Sequence, residues 1–455
     1  MNITKKALAL VGAAILGSGA FAGNATITLD RVQQRYPWNG LVDIDYTVTD
    51  VANPADYYVK FTADAKVDGE DKTYILHDFL DAHTLIDASN GTWRVTWTTG
   101  TENAKFFATN VSFKAELVFA PGDKSKMPYP FYMVIDLSKG TTATAEDKYP
   151  VTYEYFASLA EATNKYNAAE SEYRTTKLVM RKIPAGSFVM GSPADEVDRE
   201  SADRPTKETQ HPVTLTHDFY FGIYPVTQKQ YELVMGTNPS VFKTDVETVG
   251  EYEVNSRPVD GINYQMVRGT TDQKGLNVDA LMDVQGVAGL VDETSFLGLL
   301  RARTGLETLD LPTEAQWEYA SRANTQMSTY FANNVTTVVD LALRSQYLWD
   351  NWISGGKSHG VGQKIPNAWG LYDTLGNIYE YCRDRVTAPS ETTKDDWGSD
   401  AVTDPIRQVA NGNVISRGGS WFSGAAASRC AYRNGDHNAS FGYSCYGFRL
   451  SMTLP

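Results

Sequence analysis

Arg417-Gly-Gly-Ser-Trp421 and Gly447-Phe-Arg-Leu450 enclose 25 residues, Phe422 to Tyr446, and the architecture of the chain turns on this stretch. Gly418-Gly419 suits a strand that must bend or admit another backbone closely. Trp421, Phe448 and Leu450 alternate with polar neighbours, as side chains anchored in a core do. None of the enclosed residues is Lys, Glu, Gln, Met or Trp; Ala, Ser, Gly, Tyr and Asn dominate. Such a composition makes an adaptable contact surface, in which Tyr supplies area and Ser, Gly and Asn supply hydrogen bonds. An ordinary loop-rich domain end uses the same small residues. As a contact surface, the stretch exposes the side chains that alternate away from the anchors. Phe422, Ser423, His437, Phe441, Tyr443 and Tyr446 are then the expected ligand contacts, and Trp421 and Phe448 are expected to be buried.

Upstream, two helix starts are legible. Thr227 follows Tyr224-Pro-Val and is placed to cap a helix through Gln228-Lys-Gln-Tyr231. Thr313, with Gln316 three residues on, forms a capping box that turns Trp317 and Ala320 inward. Ile183-Pro-Ala-Gly-Ser-Phe-Val-Met-Gly191 reads as a strand entering a turn, and His211 to Gly222 alternates again. Thr244 to Asn255 and Asp272 to Glu293 look like insertions.

The first third is different in texture. Val42, Ile44, Tyr46 and Val48 alternate with polar partners, as do Trp93, Val95 and Trp97, Val111 to Phe119, and Phe131 to Leu137. Several short alternating strands separated by turn clusters predict an antiparallel, immunoglobulin-like sandwich over 23–138. A linker with a short helix is expected over 139–176, and the C-terminal domain over 177–455. Residues 1–22 read as a signal peptide: Lys5-Lys6, an apolar run from Ala7 to Gly19, and an Ala20-Phe21-Ala22 cleavage site. The expectation is an exported protein with no transmembrane segment in the mature chain. With 41 basic against 55 acidic residues and no Lys/Arg block, phosphate-backbone recognition has little to work with, so no nucleic-acid partner is expected. The three cysteines, Cys382, Cys430 and Cys445, contain no C-x-x-C pair.

From about Met180 to Met452 the chain resembles the formylglycine-generating enzyme, or sulfatase-modifying-factor, family. The carrying motifs are Ile183-Pro-Ala-Gly-Ser-Phe-Val-Met-Gly191, Tyr224-Pro-Val-Thr227, Arg257-Pro-Val259 and Leu311-Pro-Thr-Glu-Ala-Gln-Trp-Glu-Tyr-Ala320. Asn367-Ala-Trp-Gly-Leu-Tyr-Asp373, Gly376-Asn-Ile-Tyr-Glu-Tyr381 and the two ends of the C-terminal stretch complete the set in the family's order. The resemblance implies an α+β fold with a C-type-lectin-like core, preceded here by the all-β sandwich.

The family's oxidases bind copper(I) through two cysteines shortly after the Arg-Gly-Gly-Ser segment. Here the first of those positions is Ser423, and Ala425 to Ser428 holds no cysteine. A serine hydroxyl is neither a soft ligand nor an easily ionised thiol. Copper and formylglycine chemistry are therefore not expected, and no catalytic residue is assigned. The resemblance also implies a structural calcium held by the Asp373 side chain, the Gly376 and Ile378 carbonyls and the Glu380 side chain. It implies a Cys382–Cys430 disulfide as well. Some members of this fold are targets of diversity-generating retroelements, whose adenine-directed mutagenesis gives compositions like that of Phe422 to Tyr446. The resulting expectation is an exported protein that binds a protein or glycan ligand with its C-terminal face. Formylglycine oxidation, or a non-catalytic peptide-binding pseudo-enzyme, stand as alternatives.

Overall fold

The computed structural model describes residues 25–34, 41–67, 70–76, 79, 85, 88–98, 109–119, 131–156, 159–199, 208–269, 291–333, 341–386, 398–408 and 412–454. The expected signal peptide and most of the insertion at Asp272 to Glu293 lie outside them. Strand and helix are mixed, in two compact units.

In the N-terminal unit, β1 (Thr26–Gln34), β2 (Leu41–Thr49) and β5 (Gly91–Thr98) form one antiparallel sheet. β3 (Tyr57–Val67), β4 (Glu70–Leu76) and β6 (Thr109–Phe119) form a second. The period-two pattern works as expected, because alternate side chains leave opposite faces of a strand. Val42, Ile44, Tyr46 and Val48 are all buried. Rings meet between the sheets, Tyr46 against Phe61 at 5.3 Å and Trp97 against Phe113 at 6.2 Å.

Phe131–Asp136 (β7) departs from expectation. It pairs antiparallel with β9 (Lys177–Ile183), so it belongs to the C-terminal unit rather than closing the sandwich. With β8 (Val151–Tyr155), β12 (Phe219–Gly222), β13 (Leu309–Asp310) and β19 (Ser451–Thr453) it makes a six-stranded sheet, order β13-β19-β12-β9-β7-β8. Alternation alone cannot assign a strand to a sheet; Met133 and Ile135 are buried just as a sandwich strand's would be. The linker helix is short, Leu159–Tyr166.

β10 (Gly186–Met190), β11 (His211–Leu215) and β15 (Val402–Thr403) form a small sheet beside this one. The sheet that carries the C-terminal stretch has the order β17-β16-β14-β18, from β14 (Tyr379–Val386), β16 (Asn413–Arg417), β17 (Arg433–His437) and β18 (Tyr446–Gly447). Thr227 caps its helix as expected and, with Gln230, adds a capping box; the expected box at Thr313 with Gln316 also forms. Trp317 and Ala320 are fully buried. The Thr244 to Asn255 segment folds as two short helices, Val246–Val249 and Glu251–Asn255.

Candidate functional site

Gly418 and Gly419 place the C-terminal stretch. Both adopt positive φ, +91° and +73°. A Cβ on Gly418 would stand 2.7 Å from the Thr374 carbonyl oxygen, and one on Gly419 would stand 2.7 Å from Ser428 Oγ. Only glycine lets the chain turn here while packed this closely. After the turn, Ser420 to Ser423 cross to the 350–356 turn. Asn351 N–H donates to the Ser423 carbonyl (3.1 Å), and Ser354 Oγ donates to the Trp421 carbonyl (2.8 Å).

Three expected contacts are on the surface: Phe422 is 68% exposed, Phe441 56% and Tyr443 45%. Ser423 and His437 are half-buried. Tyr446 corrects the expectation, for it is buried. It lies in β18 beside β14, where its ring stacks on Tyr379 at 5.1 Å and approaches Tyr381 at 5.6 Å. From Tyr446 the rings continue outward through His437 (5.0 Å) to Tyr443 (5.1 Å from His437) and then Phe441 (6.4 Å). An aromatic column thus runs from the sheet to the exposed face and holds its outer members. Trp421 is half-buried rather than buried. Its Nε1–H donates to the Ser444 carbonyl at 2.9 Å, and Phe242 meets it edge-on at 5.1 Å. Phe448 is buried as expected.

Sequence reasoning missed Trp352, which is 60% exposed on the turn bonded to Trp421 and Ser423. Its backbone N–H donates to Asp350 (3.0 Å), whose carboxylate pairs with the fully buried Arg344. The sequence signal was faint: one Trp in a Gly/Ser turn some seventy residues from the stretch it joins.

Arg429 and Arg433 turn inward. Arg429 reaches Glu208 (2.8 Å) and Glu196 (2.6 Å), and Arg433 pairs with Glu314. The exposed described residues between Phe422 and Tyr446 are therefore uncharged: Phe422, Asn438, Ser440, Phe441, Gly442 and Tyr443.

Ser423 Oγ lies 2.9 Å from Ser420 Oγ, and the Tyr379 hydroxyl shares hydrogen bonds with Ser423, Tyr432 and Asn434. These hydroxyls are not bases at neutral pH, so nothing among them activates Ser423 as a nucleophile. The thiols are no better placed, because burial raises each one: Cys445 to about 11, Cys382 and Cys430 also above their ordinary value. The expected Cys382–Cys430 bond is not formed; both thiols are free and buried. Cys430 Sγ faces Ser321 Oγ at 3.8 Å, whereas Cys382 Sγ lies 4.0 Å from the Glu380 carbonyl oxygen. The two side chains expected to hold calcium, Asp373 and Glu380, are both buried. Both Glu380 oxygens are taken by Arg449 and Trp317, while Asp373, pushed up to about 6 by burial, accepts from the Gly362 N–H (2.7 Å) and keeps Oδ1 without a partner.

Asp260 lies under the face. Its Oδ1 accepts the Val241 N–H (2.7 Å), its Oδ2 has no partner, and Cys445 is close enough to feel its charge. Burial raises it from 3.8 to about 6. The native state therefore holds this proton more tightly than the unfolded chain. The stabilisation is fully present below pH 3.8 and is lost as pH rises through about 6. Asp260→Asn is expected to gain on wild type by up to about 3 kcal/mol between about pH 4 and about pH 8. Urea unfolding at the two pH values measures the difference; an equal difference at both would show that Asp260 ionises normally.

Residues 165–454 match the model of the sulfatase-modifying factor enzyme 1-like domain. Among known proteins, the chain is 29% identical over 241 residues to the chaperone protein LppX of Paenibacillus barcinonensis, covering 48% of this chain and 75% of that one. It is 22% identical over 343 residues to the serine/threonine-protein kinase pkn1 of Chlamydia pneumoniae, covering 70% of this chain and 45% of the kinase. Against the formylglycine-generating enzyme of Thermomonospora curvata it is 30% identical over 95 residues, 18% of this chain and 30% of that enzyme. The chain thus spans less than half of the kinase and less than a third of the enzyme. Among solved structures, Treponema denticola variable protein 1 aligns with a TM-score of 0.43 and 24% identity, over 61% of this chain and 96% of that one. PvdO from Pseudomonas aeruginosa aligns with a TM-score of 0.43 and 22% identity, over 61% and 94%. The family model spans well over half of the sequence, and the chain belongs to the sulfatase-modifying factor enzyme 1-like domain family.

Proposed function

We propose that this protein is an exported, non-catalytic member of its family that binds a protein or glycan ligand with the face formed by Phe422, Phe441, Tyr443 and Trp352. One observation carries the proposal: four large aromatic side chains stand exposed, three on the C-terminal stretch and Trp352 on the turn bonded to it, and behind Phe441 and Tyr443 the rings stack into the core. Clustered exposed aromatics on a folded domain mark an interaction site, and aromatic anchors commonly dominate binding energy. Ser423 at the oxidase cysteine position and the raised thiols support a binding role over oxidation. No helix among the described residues is long and apolar enough to cross a membrane. The N-terminal two-sheet unit serves in this proposal as an immunoglobulin-like spacer.

A panel of immobilised glycans and displayed peptides tests the binding role. Phe422→Ser, Tyr443→Ser and Trp352→Ser are each expected to leave stability within about 0.5 kcal/mol and to weaken binding by at least tenfold. Binding that survives all three substitutions places the ligand elsewhere. Incubated with copper and a cysteine-containing sulfatase peptide, the protein is expected to yield no aldehyde by mass spectrometry above a copper-only control; aldehyde formation would restore the oxidase alternative.

Diversification of Phe422 to Tyr446 by a retroelement is a further part of the proposal. It rests on the absence of Lys, Glu, Gln, Met and Trp from all 25 positions. A reverse-transcriptase gene and a near-copy of the segment in neighbouring DNA are the expected observation.

A further inference from the structure

We infer that a buried guanidinium, that of Arg449, holds the 373–380 turn of this chain through Glu380, and that the residues around the turn do not fit the calcium ion its family resemblance implies. Arg449 and Glu380 are both fully buried. Arg449 Nη2 donates to Glu380 Oε1 at 2.7 Å and Nε donates to Oε2 at 3.0 Å, while the Trp317 indole N–H reaches Oε2 at 2.7 Å. Two further guanidinium N–H groups donate to the Gly222 carbonyl (2.8 Å) and the Tyr372 carbonyl (2.7 Å). One of the two carboxylates that would balance calcium's charge is thus already neutralised, and its donors are directed by a planar fork. An ion seated on Glu380 would have to share the carboxylate with a fixed positive charge where water cannot screen the repulsion.

Two of the other three expected ligands point the same way. The Gly376 carbonyl accepts the Ile378 N–H at 2.8 Å. Asp373 Oδ2 accepts the Gly362 N–H, and only its Oδ1 stays open. Calcium takes six to eight oxygens, and of the two expected carboxylates only Asp373 keeps an oxygen open to it. A second cation already acts on Asp373, the Lys364 ammonium that sits 3.5 Å above the Trp349 ring.

The turn is also tied down by its own backbone. Gly376 N–H donates to the Gly418 carbonyl (2.7 Å), Asn377 N–H to the Trp349 carbonyl (2.8 Å), and Trp421 N–H to the Asn377 carbonyl (2.9 Å). The Asn377 side chain bridges the His359 N–H and carbonyl, both at 2.9 Å. A turn held from the 349, 359, 418 and 421 positions does not need an ion to order it.

The experiment uses the full chain, with calcium and terbium as probes. Thermal unfolding is followed in calcium chloride and in chelator, and terbium emission is excited through the tryptophans beside the turn, Trp317 and Trp349. Expected are coincident melting curves and no saturable terbium emission from the wild-type protein. A melting temperature that rises with calcium and loses that rise in Asp373→Asn overturns the inference. So does saturable terbium emission that disappears in the same variant. Because the primary readout is on wild type, the inference stays testable even if a variant fails to fold.

Discussion

Arg449→Met is expected to lower the unfolding free energy by about 3–5 kcal/mol, because it leaves the Glu380 carboxylate buried without its counter-charge. Arg449 joins Gly222 at the end of β12, Tyr372 before the 373–380 turn and Glu380 in β14, so the loss reaches two sheets at once. The double variant Arg449→Met/Glu380→Gln is expected to lose less than Arg449→Met alone, since no unpaired charge is then buried. Denaturant unfolding of the wild type, both single variants and the double variant gives the coupling directly. A loss below about 1 kcal/mol for Arg449→Met would mean that Glu380 finds another partner or water.

Phe448→Ala is expected to cost about 3–5 kcal/mol, the range for a large aromatic removed from a packed core. Phe448 has no exposed surface, and its ring meets Phe296 edge-on at 5.0 Å. Its carbonyl accepts the Val226 N–H at 2.9 Å, so the backbone stays held while the side-chain volume empties. Trp421→Ala, at the other end of the same stretch, is expected to cost about half as much or less, because part of the ring already faces water. Comparing the two melting temperatures checks the contrast. Equal losses would place Trp421 in the core, as its alternation with polar neighbours suggests.

Those two anchors show where sequence and structure part. Alternation marked both Trp421 and Phe448 as inward, and it was right about the second. It failed for the first because Gly418 and Gly419 break the strand before Trp421, so the period of two no longer applies there. The same failure put Tyr446 on the surface in the sequence reading. Its parallel pairing with Tyr379 fixes which way it points, and no local pattern carries that pairing.

By itself the sequence determined the helix starts at Thr227 and Thr313, the buried face of β2, the family, and the loss of the oxidase cysteines. Each of these depends on residue identity or on neighbours within a few positions, where cap geometry and strand alternation are local physics. Only the tertiary structure decided that Phe131–Asp136 pairs with β9, that the turn carrying Trp352 is bonded to Trp421 and Ser423, that Cys430 faces Ser321 instead of Cys382, and that Arg449 occupies Glu380. Each of those joins residues from about forty to 109 positions apart. The choice of partner is made by which backbones can approach and which buried charges must be balanced, and neither is written in any one stretch of the chain.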